Sequence, residues 1–297
     1  MGDDEAGSIC CYADDTTLTC TDSRPAALSN KLTDQYKVIA EYMRNNKLKL
    51  NDDKTHLLVM DTGQSRDRVQ AARLVEIRTP TGTIRPSSSE KLLGCWVDEN
   101  LKWSEHIRDN KENLILALTT RLGAIKKIGK VASFKNRKML ANGIFMSKLS
   151  YLIALWGGCG IVLRKTLQII QNKVARVVTK LDWSTSTAVL LNQVGWLSVN
   201  QLIFYHSVLQ IFKVNKAQTP KYLDSMFSWT YIYNTRQAVG GVIRLVGKPR
   251  LDVTKNSFRW RAANQFNQLP AEIRRCQTLA SFKTNAKTWI KENVSLS

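Results

Sequence analysis

Acidic side chains are scarce over most of this chain. Of the 24 Asp and Glu residues, 19 fall in residues 1–112 and five in residues 113–297. The same stretches hold 16 and 28 Lys and Arg, so the net charge of +20 is the sum of −3 and +23. A long body with so few carboxylates favours a polyanionic partner, most simply nucleic-acid phosphates. An anionic membrane surface is the weaker rival, and a merely soluble basic surface is the bland reading.

Long apolar runs are also missing. The longest mainly apolar stretch, near Leu149–Trp156, is far too short to cross a bilayer. The start, Met1-Gly2-Asp3-Asp4-Glu5, is acidic and lacks the basic-then-apolar order of a signal peptide. The six cysteines (10, 11, 20, 95, 159 and 276) show no CxxC spacing. Buried, reduced thiols are therefore expected rather than a zinc site. These absences point to an intracellular protein, nuclear or cytoplasmic. With 43% apolar residues over 297 positions, the chain has enough material for two or three folded units.

What is present begins with Ile9-Cys10-Cys11-Tyr12-Ala13-Asp14-Asp15-Thr16-Thr17-Leu18-Thr19-Cys20. Strand-forming residues flank two adjacent carboxylates, which reads as a tight hairpin. Such a tip presents hard oxygen donors suited to a divalent cation. An acidic surface turn is the simpler reading of the pair alone.

Next, Asp22-Ser23-Arg24-Pro25 supplies a cap and a first-turn proline for a helix with Leu28, Leu32, Tyr36, Ile39 and Met43 on one face. A turn, Lys47–Thr55, leads to a strand at His56–Met60. Residues 61–72 read as an exposed loop, Arg73–Arg85 as a hairpin about Thr79-Pro80-Thr81-Gly82, and Lys91–Val97 as a strand in which Gly94 admits a close backbone. From Ser104 the pattern is helical. One helix is expected from a Ser104 cap to Gly129, a second from a Ser133 cap to about Ile153, then Leu163–Thr179, a short one near 185–193, and Ser198–Lys216. Residues 219–256 mix aromatics with basic residues such as Arg236, Lys248 and Arg250, and two helices around Pro270 close the chain.

Tyr12-Ala13-Asp14-Asp15 resembles the catalytic hairpin of reverse transcriptases. Leu48-Lys49-Leu50-Asn51-Asp52-Asp53-Lys54-Thr55 is similar to the asparagine–lysine motif of the same palm domain. Leu92–Ile107 looks like the primer-contacting strand and its link to the thumb. Phe266-Asn267-Gln268-Leu269-Pro270-Ala271-Glu272-Ile273-Arg274, with Phe282-Lys283, resembles the C-terminal region of non-LTR, LINE-type retrotransposon polyproteins.

The resemblance implies an α+β fold: a truncated palm over 1–103, a mainly helical thumb-like domain over 104–218, and a basic C-terminal region over 219–297. It implies RNA-directed DNA polymerisation by two-metal nucleotidyl transfer, with two Mg2+ ions, an RNA template, a DNA primer and deoxynucleotides. Asp14 and Asp15 would be metal ligands and, with Lys54 as proton donor to pyrophosphate, the catalytic set. Tyr12 and Ala13 would lie near the nucleotide, and Gly94 and Trp96 in the primer grip. Lys126, Lys127, Lys130, Lys135, Arg137, Lys138, Arg259 and Arg261 are the nucleic-acid-binding candidates. The family's other metal-binding aspartate and its fingers precede the hairpin, and only eight residues precede Ile9. The expectation is a C-terminal piece of a LINE-type reverse transcriptase, catalytically incomplete alone. The alternative is a non-enzymatic nucleic-acid-binding protein that uses residues 113–297.

Overall fold

The computed structural model describes residues 8–60, 70, 72–230, 241–245 and 249–296. The expected loop at 61–72 lies almost wholly outside these residues, as do Arg236 and Lys248. The chain divides into two compact units, Met1–Leu101 and Lys102–Ser297.

The first unit is mixed α and β. Its strands are β1 (Ser8–Tyr12), β2 (Asp15–Thr19), β3 (Leu57–Leu58), β4 (Ile77–Thr79), β5 (Gly82–Ile84), β6 (Pro86–Ser87), β7 (Ser89–Leu92) and β8 (Cys95–Asp98). Among the described residues they join two by two: β1–β2, β4–β5 and β7–β8 antiparallel, β3–β6 parallel. Helix α1 (Pro25–Asn45) starts at its proline, whose missing N–H costs nothing at that position. Its N-cap is Arg24 and makes no side-chain cap bond; Asp22 instead accepts from the Arg24 N–H at 3.0 Å and pairs with Lys31.

Leu32 and Tyr36 of α1 pack with Leu57, Val75 and Ile77, and Leu18 and Cys20 of the first hairpin lean on the same cluster. Two hydroxyls complete this interface. Ser29 accepts from the Glu76 N–H at 3.1 Å and Thr33 from the Arg78 N–H at 3.2 Å. A helix repeat of four thus meets a strand repeat of two, and buried backbone donors on β4 and just before it are satisfied by side chains.

Asp52 is the polar counterpart. It opens the 3-10 turn Asp52–Lys54 and accepts hydrogen bonds from Tyr36 and from Thr81 in the β4–β5 turn. Those bonds, the Thr81 one foremost, hold its carboxyl below the usual carboxylate range. Burial, and then Asp52, push the Tyr36 phenol up to about 12.

Lys91–Val97 is not one strand. Leu92 pairs with Cys95, so Leu93 and Gly94 form a two-residue turn in which both have positive φ, 47° and 77°. That double requirement explains the glycine better than a close backbone approach does.

The second unit is helical, with a small β9–β10 pair (Trp229–Thr230 and Val242–Ile243). Its main helices are α2 (Leu114–Gly129), α3 (Phe134–Leu140), α4 (Ile161–Thr179), α5 (Thr187–Val194), α6 (Val199–Asn215), α7 (Phe258–Gln268) and α8 (Leu279–Asn293). Ser104 does not cap a long helix. It precedes a single π turn, Glu105–Asp109, and Asn113 caps α2 by accepting from the Leu116 N–H at 2.7 Å. The helix expected from Ser133 is capped as predicted, but it passes into a π segment at Ala141–Met146 and breaks at Leu152, whose φ is 52°.

Helix α6 is the axis. Ser198 and Gln201 form a capping box, and the buried residues, Val199 to Val214, lie nearly all round the helix. It packs against α7 and α8, so residues 104–218 and 219–297 are parts of one body and no break falls at 218/219. Phe212 stacks on Phe282 with centroids 4.1 Å apart, and the Gln201 amide donates to the Val294 carbonyl at 2.9 Å. Among the described residues no helix is long and apolar enough to cross a membrane.

Two measurements test this packing. A Cβ at Gly158 would stand 2.2 Å from the Asn256 carbonyl oxygen, whereas one at Gly123, inside α2, meets nothing within 4 Å. Urea unfolding of Gly158→Ala should show a loss of about 1–3 kcal/mol from overpacking. Gly123→Ala should gain about 0.5–1 kcal/mol from helix propensity. In the first unit Tyr36 keeps its proton in the folded state at pH values where the unfolded chain has lost it, so stability is full below about pH 10 and declines towards pH 12. Circular dichroism melts across that window should show the decline, and Tyr36→Phe should abolish it while costing about 1–2 kcal/mol at neutral pH.

Candidate functional site

The hairpin β1–β2 pairs Ser8 with Thr19 through Tyr12 with Asp15, leaving Ala13 and Asp14 as the connection. Ala13 takes φ 53°, the positive value primed hairpin turns need at their first central residue. Residues paired across a sheet share a face, and faces alternate along each strand. Leu18 and Ile9 therefore share one face, and Asp15 and Tyr12 stand on the other. Leu18 fastens the first face to the α1 cluster. The tip stays in solvent: Tyr12, Ala13, Asp14 and Asp15 are all exposed, Tyr12 by 67% and Ile9 by 50%. Such an apolar, uncovered strand is a surface that invites pairing with another chain.

Asp14 and Asp15 are hard oxygen donors and suit one wall of a divalent-cation site. Among the described residues no group of three His, Cys, Asp or Glu side chains gathers anywhere in a metal-holding cluster, so no further carboxylate joins them. Lys54 is exposed at the end of its 3-10 turn. Asn51 forms that turn by accepting from the Asp53 N–H at 3.1 Å. Asp52 is committed to Tyr36 and Thr81 and serves the fold. Gly94 lies in the β7–β8 turn, and Trp96 on β8 is half-buried with the Lys91 ammonium 6.0 Å from its ring centroid.

The basic candidates separate into two kinds. Lys126, Lys127, Lys130, Lys135 and Arg259 are exposed, and Lys138 is half-buried. Arg137 is buried, which corrects the expectation of a surface cation there, and Arg261 is half-buried with its guanidinium tied to the fold. Arg137 is buried and donates to the Val178 carbonyl at 2.9 Å and the Ala132 carbonyl at 2.6 Å, closing the C-terminal end of α4. Arg261 donates to the Ser207 hydroxyl at 2.9 Å and to the Ala154 carbonyl, and burial lowers its pKa to about 10. Helical spacing marks such residues only as basic; their partners come from distant sequence.

Two further features escaped the sequence reading. Lys138, Lys287 and Lys291 converge, and burial followed by its two like-charged neighbours lowers the Lys287 pKa. The Arg176 guanidinium lies 4.5 Å from the Trp183 ring centroid, and Trp183 is 71% exposed. A tryptophan in the polar run Asp182-Trp183-Ser184-Thr185 was the available signal for the second.

No family model matches the chain, and no solved structure matches it. Against characterised proteins, it is 27% identical over 120 residues to a Drosophila melanogaster protein described as a probable RNA-directed DNA polymerase from transposon X-element. The matched stretch is 40% of this chain and 13% of that protein. The similarity supports a reverse-transcriptase-related region in this chain.

Proposed function

We propose that this chain is part of a LINE-type, non-LTR RNA-directed DNA polymerase, comprising the catalytic hairpin and a basic nucleic-acid-binding body. The observation that carries the reading is the β1–β2 register. It sets Asp14 and Asp15 together at an exposed tip, in a chain similar over 120 residues to a probable RNA-directed DNA polymerase from a transposon. Asp14 and Asp15 would hold Mg2+. When bound, Mg2+ supplies the positive charge against which a nucleoside triphosphate is held and its pyrophosphate leaves. Tyr12 and Ala13 would border the nucleotide, Lys54 would offer a proton to the departing pyrophosphate, and Gly94 and Trp96 would lie along the primer. Two-metal transfer needs a carboxylate from a separate strand as well, and the described residues bring none to the tip. In this reading the described residues supply one wall of the site, and the chain alone would not polymerise.

Primer extension on an RNA template with Mg2+ tests it. The expected outcome is no template-dependent incorporation, by the unmutated chain or by Asp14→Ala. Incorporation that Asp14→Ala abolishes would overturn the incompleteness. Electron paramagnetic resonance with Mn2+ should show a weak site that is lost in the Asp14→Ala, Asp15→Ala double variant.

A second reading, nucleic-acid binding without catalysis, is favoured by how the cations are used. Residues 113–181 contain thirteen Lys and Arg and no Asp or Glu. Arg137, Arg176 and Arg261 donate to neutral oxygens, so their charge stays uncompensated. Binding to RNA or DNA should fall steeply with salt and survive Asp14→Ala. Replacing Lys126 and Lys127 with Gln should weaken binding and lower the log–log salt slope by about 1–2.

A further inference from the structure

Helix α4 lays Lys165, Ile169, Asn172 and Arg176 on one face, at spacings of four, three and four residues. That face is about 16 Å long at ~1.5 Å per residue. At its N-terminal end is a groove of about 390 Å3 lined by Ile161, Lys165, Ile169 and Thr187 among others. Asn172 donates to the Thr187 hydroxyl at 2.8 Å and fixes that wall.

At its C-terminal end stands the Arg176–Trp183 pair. Arg176 donates to the Trp183 carbonyl at 3.2 Å and the Thr185 carbonyl at 3.3 Å, so the loop carrying the indole is held before any ligand arrives. Ile169 is 55% exposed beside Lys165, which is itself exposed. No residue of α4 is acidic; Asp182, next to the indole, is the one nearby carboxylate in sequence.

We propose that this face of α4 seats a single-stranded segment of nucleic acid, with an unpaired base stacked on Trp183 and backbone phosphates beside Lys165 and Arg176. It rests on the nucleic-acid-binding reading of residues 113–297. The chemistry selects the ligand: every base has a π face for a pre-held indole, and the cations answer the phosphates. A duplex buries its base faces and cannot use the platform.

The test compares the full chain with Trp183→Ala and Trp183→Phe, using single-stranded RNA containing 2-aminopurine and a duplex of equal length. For the unmutated chain, binding should quench the 2-aminopurine by stacking. Trp183→Ala should bind the single strand about fivefold to a hundredfold more weakly. It should keep the duplex affinity, the salt slope and the melting temperature, and Trp183→Phe should recover most of the single-strand affinity. Equal loss for strand and duplex, or no loss for either, would overturn the proposal. So would a polyglutamate peptide whose binding depends as strongly on Trp183, since that would assign the face to an acidic protein. A chain that binds no nucleic acid at all would instead refute the reading beneath it.

Discussion

Positive charge without counter-charge is the constraint on which the helical unit depends. A buried guanidinium is ordinarily held by a carboxylate, yet residues 113–297 offer only five. The fold therefore keeps most lysines in water and ties its inward arginines to backbone oxygens. Arg137 closes the end of α4 through Val178, and Arg261 reaches Ala154 and Ser207 beside α6. Neutral oxygens take part of a guanidinium's N–H groups, with Arg176 Nε and Arg261 Nε left over, and they leave its net charge in place. The unit is thus electrically unbalanced, which is the condition for attracting a polyanion over distance. The convergence of Lys138, Lys287 and Lys291 shows the cost of that design at one spot, where burial first and like charges second lower the Lys287 pKa.

The smaller unit solves a different problem: how to hold a polar tip at the end of a thin ribbon. A two-stranded hairpin is marginal in water by itself. Leu18 and Cys20 join the Leu32–Tyr36–Ile77 cluster, so one face of β2 gains an apolar anchor. Ser29 and Thr33 bind α1 to the β4 segment, and Asp52 ties the Asn51–Lys54 turn to both α1 and the β4–β5 turn. Within Asn51-Asp52-Asp53-Lys54 the packing role belongs to Asp52.

Local chemistry was legible wherever the deciding partners lie within a few residues. The Pro25 start, the helix beginning at Ser198, the Ser133 cap and the Tyr12–Asp15 hairpin all follow from neighbours in sequence. Where two local signals competed, the nearer cap prevailed: Asn113, not Ser104, begins α2. The Lys91–Val97 stretch misled because its apolar residues read as one run, while Gly94 can serve either a close approach or a type of turn that needs positive φ. Long-range partners were not legible. Nothing near Arg137 announces Val178, and nothing near Arg176 announces that Trp183 folds back over it. The single body formed across 218/219 was hidden for the same reason, since α6 meets α7 and α8 through side chains far apart in sequence.

The hairpin tip sets two adjacent carboxylates in solvent. Neighbouring carboxylates in water repel by only ~1 kcal/mol or less, so Asp14 and Asp15 can adjoin each other while solvent surrounds them. Covering the tip removes that screening, and the repulsion then rises several-fold unless a cation enters as well. Covering the tip and binding a cation there would therefore be energetically coupled, each making the other easier. The uncovered β1 face and the exposed aspartates are neighbouring parts of one surface. Any strand that pairs with β1 and carries its own acidic residue would relieve the first while sharpening the need for the ion.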